Sequence, residues 1–171
     1  MRRAVDTLYD AAAWLAALLM VALLAMVLLG IASRELGFHV PGTDAYAGYL
    51  MAGAGFLALA HTFRRGEHIR VTLLLQSLSP RSRRGFELWS LAAASGLAGL
   101  IAFYSVRLAW QSRVFNDVST ANDATPLWIP QLGMAVGTSI FFVALFDAFV
   151  TALRHAESSG TARPAAPARN E

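Results

Sequence analysis

The sequence predicts an all-α membrane protein: four transmembrane helices, with a short interfacial amphipathic helix between the second and the third. Three observations carry this. Of the 171 residues 56% are apolar, and they are gathered into windows free of Asp, Glu, Lys and Arg over 11–33, 45–63, 88–106 and 124–146. Each window supplies the ~19 or more residues that cross a hydrocarbon core of about 30 Å as helix. The charges collect at the window ends, with six of the fourteen arginines between residues 64 and 87. A membrane barrel would need segments of about ten residues alternating apolar and polar, and no such repeat is present.

Helix one is expected to span 11–33. Residues 1–10, with Arg2, Arg3, Asp6 and Asp10, form its interfacial turns, and Trp14 sits where an aromatic belt residue belongs. The apolar run exceeds the about 7–15 residues of a secretory signal core and ends in Ser33, Arg34 and Glu35 rather than a small-residue cleavage site. It therefore reads as a retained span, and without a carboxylate it offers no ion site. The short loop that follows contains Pro41 and Gly42, a turn signal. Thr43 or Asp44 suits the N-cap of helix two, and Arg34 with Asp44 makes a candidate pair across the hairpin, limited by exposure to about 1 kcal/mol or less.

Helix two is expected over 45–63. Ala45, Gly48, Ala52 and Gly55 form a small-residue stripe that reads as a packing seam, since no polar group in the span supports a ligand. His61, near its end, is more simply an interfacial hydrogen-bonding residue than a ligand. Beyond it, RRGEHIRVTLLLQSLSPRSRRGFE runs from Arg64 to Glu87. Within it Val71, Leu74, Leu75 and Leu78 fall at i, i+3, i+4 and i+7, so an arm over 69–79 has one apolar face and lies flat at the membrane surface. Glu67, His68 and Arg70 either hold this hinge to the end of helix two or form a solvated charge run.

Ser79 and Pro80 mark the start of the third helix, a good cap followed by a residue suited to the first turn. Its span is 88–106, with Ala92, Ser95, Gly96 and Gly99 as a second small-residue face. The helix continues through Tyr104, Arg107, Trp110 and Gln111, which read as interfacial anchors. NDVSTANDAT over 116–125 is turn chemistry throughout. Pro126 and Pro130 cannot both sit comfortably inside one regular helix, so the last span is placed over 130–150 with Pro126–Ile129 as an extended or turn lead-in and Trp128 at the interface. Asp147 reads as a helix-end acid pairing with Arg154 or a hinge arginine rather than as a proton or sodium site. The membrane domain thus covers 1–155, and residues 156–171, rich in Ser, Pro, Ala and Arg, form a disordered tail.

Sidedness follows from the arginines. Four spans put both termini and the hinge on one side with eleven of them, against Arg34, Arg107 and Arg113 on the other, and the positive-inside rule makes the richer side cytoplasmic. There is no lysine or cysteine, so every basic anchor is a forked guanidinium and no disulfide or thiolate site exists. The net charge of +3 and pI near 9.9 come without a nucleic-acid motif. The four histidines, His39, His61, His68 and His155, do not pair at matching depths as axial haem ligands must. No nucleophile–base pair, phosphate loop or metal-ligand cluster is visible. The chain is read as no enzyme, without cofactor or metal of its own, and as a subunit built of packing faces and charged edges.

Three stretches carry a family resemblance: the Arg34 end of helix one with its Pro-Gly loop and acid, LALAHTFRRGEHIRV from Leu57 to Val71, and TPLWIP from Thr125 to Pro130 before a glycine-containing helix. Together they resemble the small membrane subunit (Q subunit, DctQ-like) of tripartite ATP-independent periplasmic (TRAP) transporters, over roughly residues 5–155. The resemblance implies a scaffold subunit in a bacterial inner membrane that supports a large elevator-type permease (DctM-like). The sodium and substrate sites lie in that partner, and a periplasmic binding protein (DctP-like) delivers an organic acid. C4-dicarboxylates, other carboxylates and sialic acid remain open. Arg34, Asp44, Glu67, His68, Arg70, Leu74, Leu75, Trp128 and Pro130 are the expected subunit contacts or structural anchors, with membrane lipids as the other partner. The competing reading is a self-contained small transporter or channel formed by homo-oligomerisation through the small-residue faces.

Overall fold

The computed structural model describes residues 2–65 and 79–160. It contains α1 (Arg2–Glu35), α2 (Thr43–Arg64), α3 (Pro80–Val114) and α4 (Trp128–Gly160). Among the described residues there is no strand, only an isolated antiparallel bridge between Val118 and Pro126. Three stretches, Thr7–Glu35, Ser82–Val114 and Trp128–Arg154, are long and apolar enough to cross a membrane. The 22 residues of α2 reach about 33 Å, but α2 is not among these three; glycines, two tyrosines and His61 interrupt its apolar stretch. The arm expected over 69–79, save Ser79 itself, lies outside the described residues, as do 161–171 of the tail.

The strong contacts are α1 with α2, α2 with α4, and α4 with α3. The helices therefore stand in the order α1, α2, α4, α3, an open row rather than a closed four-helix bundle. Each edge helix packs through a narrow stripe. On α1 it begins Tyr9, Ala12, Ala16 and Leu19; on α3 it runs Ser95, Ala98, Ala102, Ser105, Ala109 and Ser112. Steps alternating between three and four residues keep the stripe on a neighbour crossed at a shallow angle. The rest of each edge helix faces outward with large apolar side chains: Trp14 is 79% exposed and Trp89 70%. Such a surface suits lipid, which is as apolar as leucine, so helix association there depends on close packing rather than on removing greasy area from water.

The central contact is the closest. Gly133 and Gly137 of α4 let the α2 backbone approach: a Cβ on Gly137 would lie 2.5 Å from the Phe56 carbonyl carbon, and one on Gly133 3.2 Å from the Gly53 Cα. Around this crossing Tyr9, Ala12, Ala16, Leu57, Ala60, Ile140 and Ala144 form one buried cluster, so α1, α2 and α4 share a core while α3 packs chiefly against α4. Hydroxyls within the helices bond back to their own carbonyls: Ser33 donates to Gly30 at 2.9 Å, Thr138 to Met134 at 2.8 Å and Ser139 to Ala135 at 2.6 Å. That satisfies polar atoms where no water competes.

Several local expectations need correction. The N-cap of α2 is Gly42, left-handed at φ 80°, with no side-chain cap. Thr43 is buried, its hydroxyl beside Gly30, and Asp44 turns to Arg34, so neither side chain serves as the cap. Of the stripe assigned to α2, Gly48, Ala52 and Gly55 are exposed, whereas Gly53, Ala54, Leu57 and Ala60 are buried. On α3, Ala92 and Gly96 face outward, while Ser95 and Gly99 face α4, where a Cβ on Gly99 would lie 2.9 Å from the Phe142 ring. Trp128 and Ile129 are already helical. Pro130 is tolerated as the third residue because the first N–H groups of a helix have no intrahelical acceptor to lose. At the other end α4 runs on to Gly160, so 156–160 continue the helix. The Ser79 cap is as the sequence predicts: its Oγ accepts from the Ser82 N–H at 3.4 Å, with Pro80 opening the helix.

Gly42 also sets the seat of the 115–127 loop, since a Cβ there would meet the Asp123 Cβ at 2.7 Å. Gly42→Ala is expected to lower stability by about 1–2 kcal/mol from the left-handed backbone alone, with further loss from the displaced loop. Thermal unfolding in detergent measures it.

Candidate functional site

Chemistry-bearing residues gather at the two ends of the row. At the loop end, residues 115–127 fold back as a small hairpin in which Ser119 N–H donates to the Thr125 carbonyl at 2.8 Å and Leu127 N–H to that of Asp117 at 3.0 Å. Asn116 and Ala124 take positive φ, 53° and 46°, to close it. The hairpin is tied to α2 by side chains. The Tyr49 hydroxyl lies 2.9 Å from the Ser119 Oγ and 3.1 Å from an Asp123 carboxylate oxygen, while the Thr125 hydroxyl donates to Tyr46 at 3.1 Å. The two tyrosine rings meet edge to face at 6.1 Å.

Asp123 is the hub of these ties. The Thr125 side chain holds its carboxyl below the usual carboxylate range, helped by Ser119, its own backbone N–H and Tyr49, against a desolvation that pushes the other way. A depressed folded-state value means stabilisation that is present above the unfolded value of about 3.9 and lost as pH falls through the folded one. Proteolysis within 115–127 should therefore rise on strong acidification. Asp123→Asn should already be more susceptible at neutral pH and less sensitive to acid, measured by the cleavage rate against pH.

Beside the hairpin, Ser33, Arg34, Gly37, His39, Asp44 and Asn122 line part of an open cleft of about 530 Å³. Arg34 and Asp44 stand 3.6 Å apart on its wall with side chains 74% and 89% exposed. Exposure of that order limits the pair to about 1 kcal/mol or less. Arg113 lies over the Trp128 ring at 5.3 Å, fixing the end of α3 to the start of α4.

At the opposite end α1 and α2 are joined by Arg64 over the Tyr9 ring at 5.0 Å and by His61 Nδ1 3.9 Å from an Asp10 oxygen. Asp147 is exposed on α4, about 28 Å of helix beyond Trp128, with no ion pair to Arg154 among the described residues. No group of three or more His, Cys, Asp or Glu placed to hold a metal occurs among the described residues. What the two ends offer is fastening: hairpin to hairpin and helix to helix.

A family model described as the DctQ component of tripartite ATP-independent periplasmic transporters matches residues 23–155, most of the chain. The chain belongs to the DctQ family. No curated protein matches it. DctQ proteins are transporter components rather than enzymes, and membership of a tripartite system implies partners of the DctM and DctP kind. With its membrane-spanning helices the protein is a multi-pass component of the inner membrane.

In this DctQ chain the residues singled out from the sequence fall into three groups. Arg34 and Asp44 are brought together at the cleft. Trp128 and Pro130 open α4, with Trp128 under Arg113. Glu67, His68, Arg70, Leu74 and Leu75 lie outside the described residues. Sequence reasoning missed the Tyr46, Tyr49, Ser119, Asp123 and Thr125 network. Its signal was two tyrosines three apart at the start of a helix facing a loop rich in Ser, Thr and Asp, both of which need hydrogen-bond partners once packed.

Proposed function

We propose that the chain is the non-catalytic scaffold subunit of a TRAP-type secondary transporter. It braces a large elevator-type permease in sodium-coupled uptake of an organic acid delivered by a periplasmic binding protein. The observation that carries the reading is the family match over residues 23–155. The open row supports it. The exposed face of α2 carries Gly48, Ala52 and Gly55, with nothing within 4 Å of a Cβ built on either glycine. Much of the outward surface of α1 carries leucine, valine and tryptophan, whereas the small residues of α2 permit close approach of another helix.

In this reading α2 is the fourth span, and both termini and the hinge are cytoplasmic. The stretch 69–79 is an interfacial arm, with Leu74 and Leu75 in the acyl boundary or against the permease. Glu67, His68 and Arg70 anchor its start. Arg34, Asp44, Trp128 and Pro130 fix the opposite edge. Sodium is bound by the large subunit, and this chain carries no cofactor. An elevator moves one domain against a stationary wall; added helices with basic and aromatic anchors resist tilting of that wall. Purification in mild detergent from cells producing all three components tests the assignment. A stable complex with the DctM-type permease is expected, and a homo-oligomer free of permease would contradict it.

A further inference from the structure

Three arginines stand at the loop end, and two are engaged: Arg34 with Asp44 and Arg113 with the Trp128 ring. Arg107 is exposed and has no hydrogen bond, ion pair or ring contact among the described residues. Its direction is fixed by the packing of α3. The stripe through Ala98, Ala102, Ser105 and Ala109 faces α4, and at about 100° per residue Arg107 points to the opposite side of the helix. Trp89, 70% exposed, lies on the same outward line. The two are separated by 18 residues, or about 27 Å of helix. That distance is close to the thickness of the hydrocarbon core, so a tryptophan at one interface places the guanidinium near the headgroups of the other leaflet.

The surroundings are those of a headgroup site. Tyr104 and Trp110, three residues to either side, and Gln111, four beyond, are all exposed on the same face. They supply a hydroxyl, an indole and an amide around the guanidinium. No carboxylate occurs on α3 beyond Glu87, so nothing on the helix neutralises Arg107. Toward the bilayer centre the line continues through Leu100 and Gly96, where nothing stands within 4 Å of an added Cβ. That leaves this face of the helix open to an acyl chain.

We propose that Arg107, with Tyr104, Trp110 and Gln111 around it, holds the phosphate of an anionic phospholipid in the leaflet at the loop end. An unneutralised guanidinium takes a phosphate bidentately, and the spare positive charge favours a lipid with net negative charge over a zwitterionic one.

The full-length chain, exchanged into mixed micelles or nanodiscs of phosphatidylglycerol and phosphatidylcholine, is examined by native mass spectrometry. Preferential retention of phosphatidylglycerol is expected. Arg107→Gln should reduce that preference about fivefold, the factor set by about 1 kcal/mol per basic residue at an anionic surface, and Arg107→Lys should keep most of it. Because Arg107 is exposed and unpartnered, neither change disturbs the fold, which circular dichroism checks. Equal retention of both lipids, or an unchanged preference in Arg107→Gln, overturns the proposal. So does a result in which Arg107→Gln leaves lipid retention alone but weakens copurification with the permease, since the anion would then be a carboxylate of that subunit.

Discussion

Replacing Gly137 by alanine is expected to be among the most damaging single changes in this chain. The added methyl would lie 2.5 Å from the Phe56 carbonyl carbon and 2.8 Å from the Leu57 nitrogen. Both are backbone atoms within a helix, so no rotamer change relieves the contact and the α2 and α4 axes must separate. Overpacking of this kind costs typically 1–3 kcal/mol and occasionally more. Here it falls on the contact that joins α1 and α2 to α3 and α4. Gly137→Ala should lower the unfolding temperature in detergent by many degrees and reduce the yield of folded protein, and Gly137→Leu should abolish it. The same change at Gly96, where nothing stands within 4 Å, is the control and should be close to neutral or slightly stabilising, as alanine is the better helix former.

Changing Leu74 and Leu75 together to aspartate is expected to have the second large effect, on assembly rather than on the fold of the four helices. In the proposed interfacial arm, burying each leucine in the acyl boundary or against a partner would be worth about 1.5–3 kcal/mol. Losing both, with two charges added to the apolar face, should cut recovery of the permease complex more than tenfold, on the scale of about 1.4 kcal/mol per decade. Quantitative copurification reads this directly, and unchanged recovery and uptake would remove the arm from the account. Thermal unfolding of the isolated chain should move much less than for Gly137→Ala, which separates a docking defect from a folding one.

The parts of this fold that could be read from the sequence are those fixed by local chemistry. Charge-free windows gave the helices, Ser79 before Pro80 gave the start of α3, and Pro41–Gly42 and the Ser, Thr and Asp run over 116–125 gave the two described loops. The faces were harder. In water an amphipathic helix declares its buried side by polarity. In lipid both sides are apolar, and in α2 small residues occur all round, at Ala45, Ala47, Gly48, Ala52, Gly53, Ala54, Gly55, Ala58 and Ala60. Composition alone could not say that Gly53 and Ala60 turn inward while Gly48 and Gly55 turn out.

The same limit explains the cap of α2. Thr43 and Asp44 are both better side-chain caps than glycine, but Asp44 is drawn to Arg34 and Thr43 packs beside Gly30. The backbone turn then falls to Gly42, the residue able to hold φ near 80° beneath Asp123. The first two partners lie across the same short hairpin, and the Arg34–Asp44 pair is legible in the sequence, but the Asp123 contact that seats Gly42 comes from far along the chain, where no local signal records it. The Asp123 network is non-local in the same way, since its partners lie seventy or more residues apart.

The central claim, that this chain braces while another polypeptide carries the cargo, is tested most directly by uptake into sodium-free proteoliposomes diluted into buffer with or without sodium, that is, with or without an inward sodium gradient. The account predicts no uptake by liposomes holding this chain alone, and gradient-dependent uptake when the DctM-type permease and the loaded binding protein are added. Uptake by the chain alone, abolished by Asp147→Asn, would contradict it.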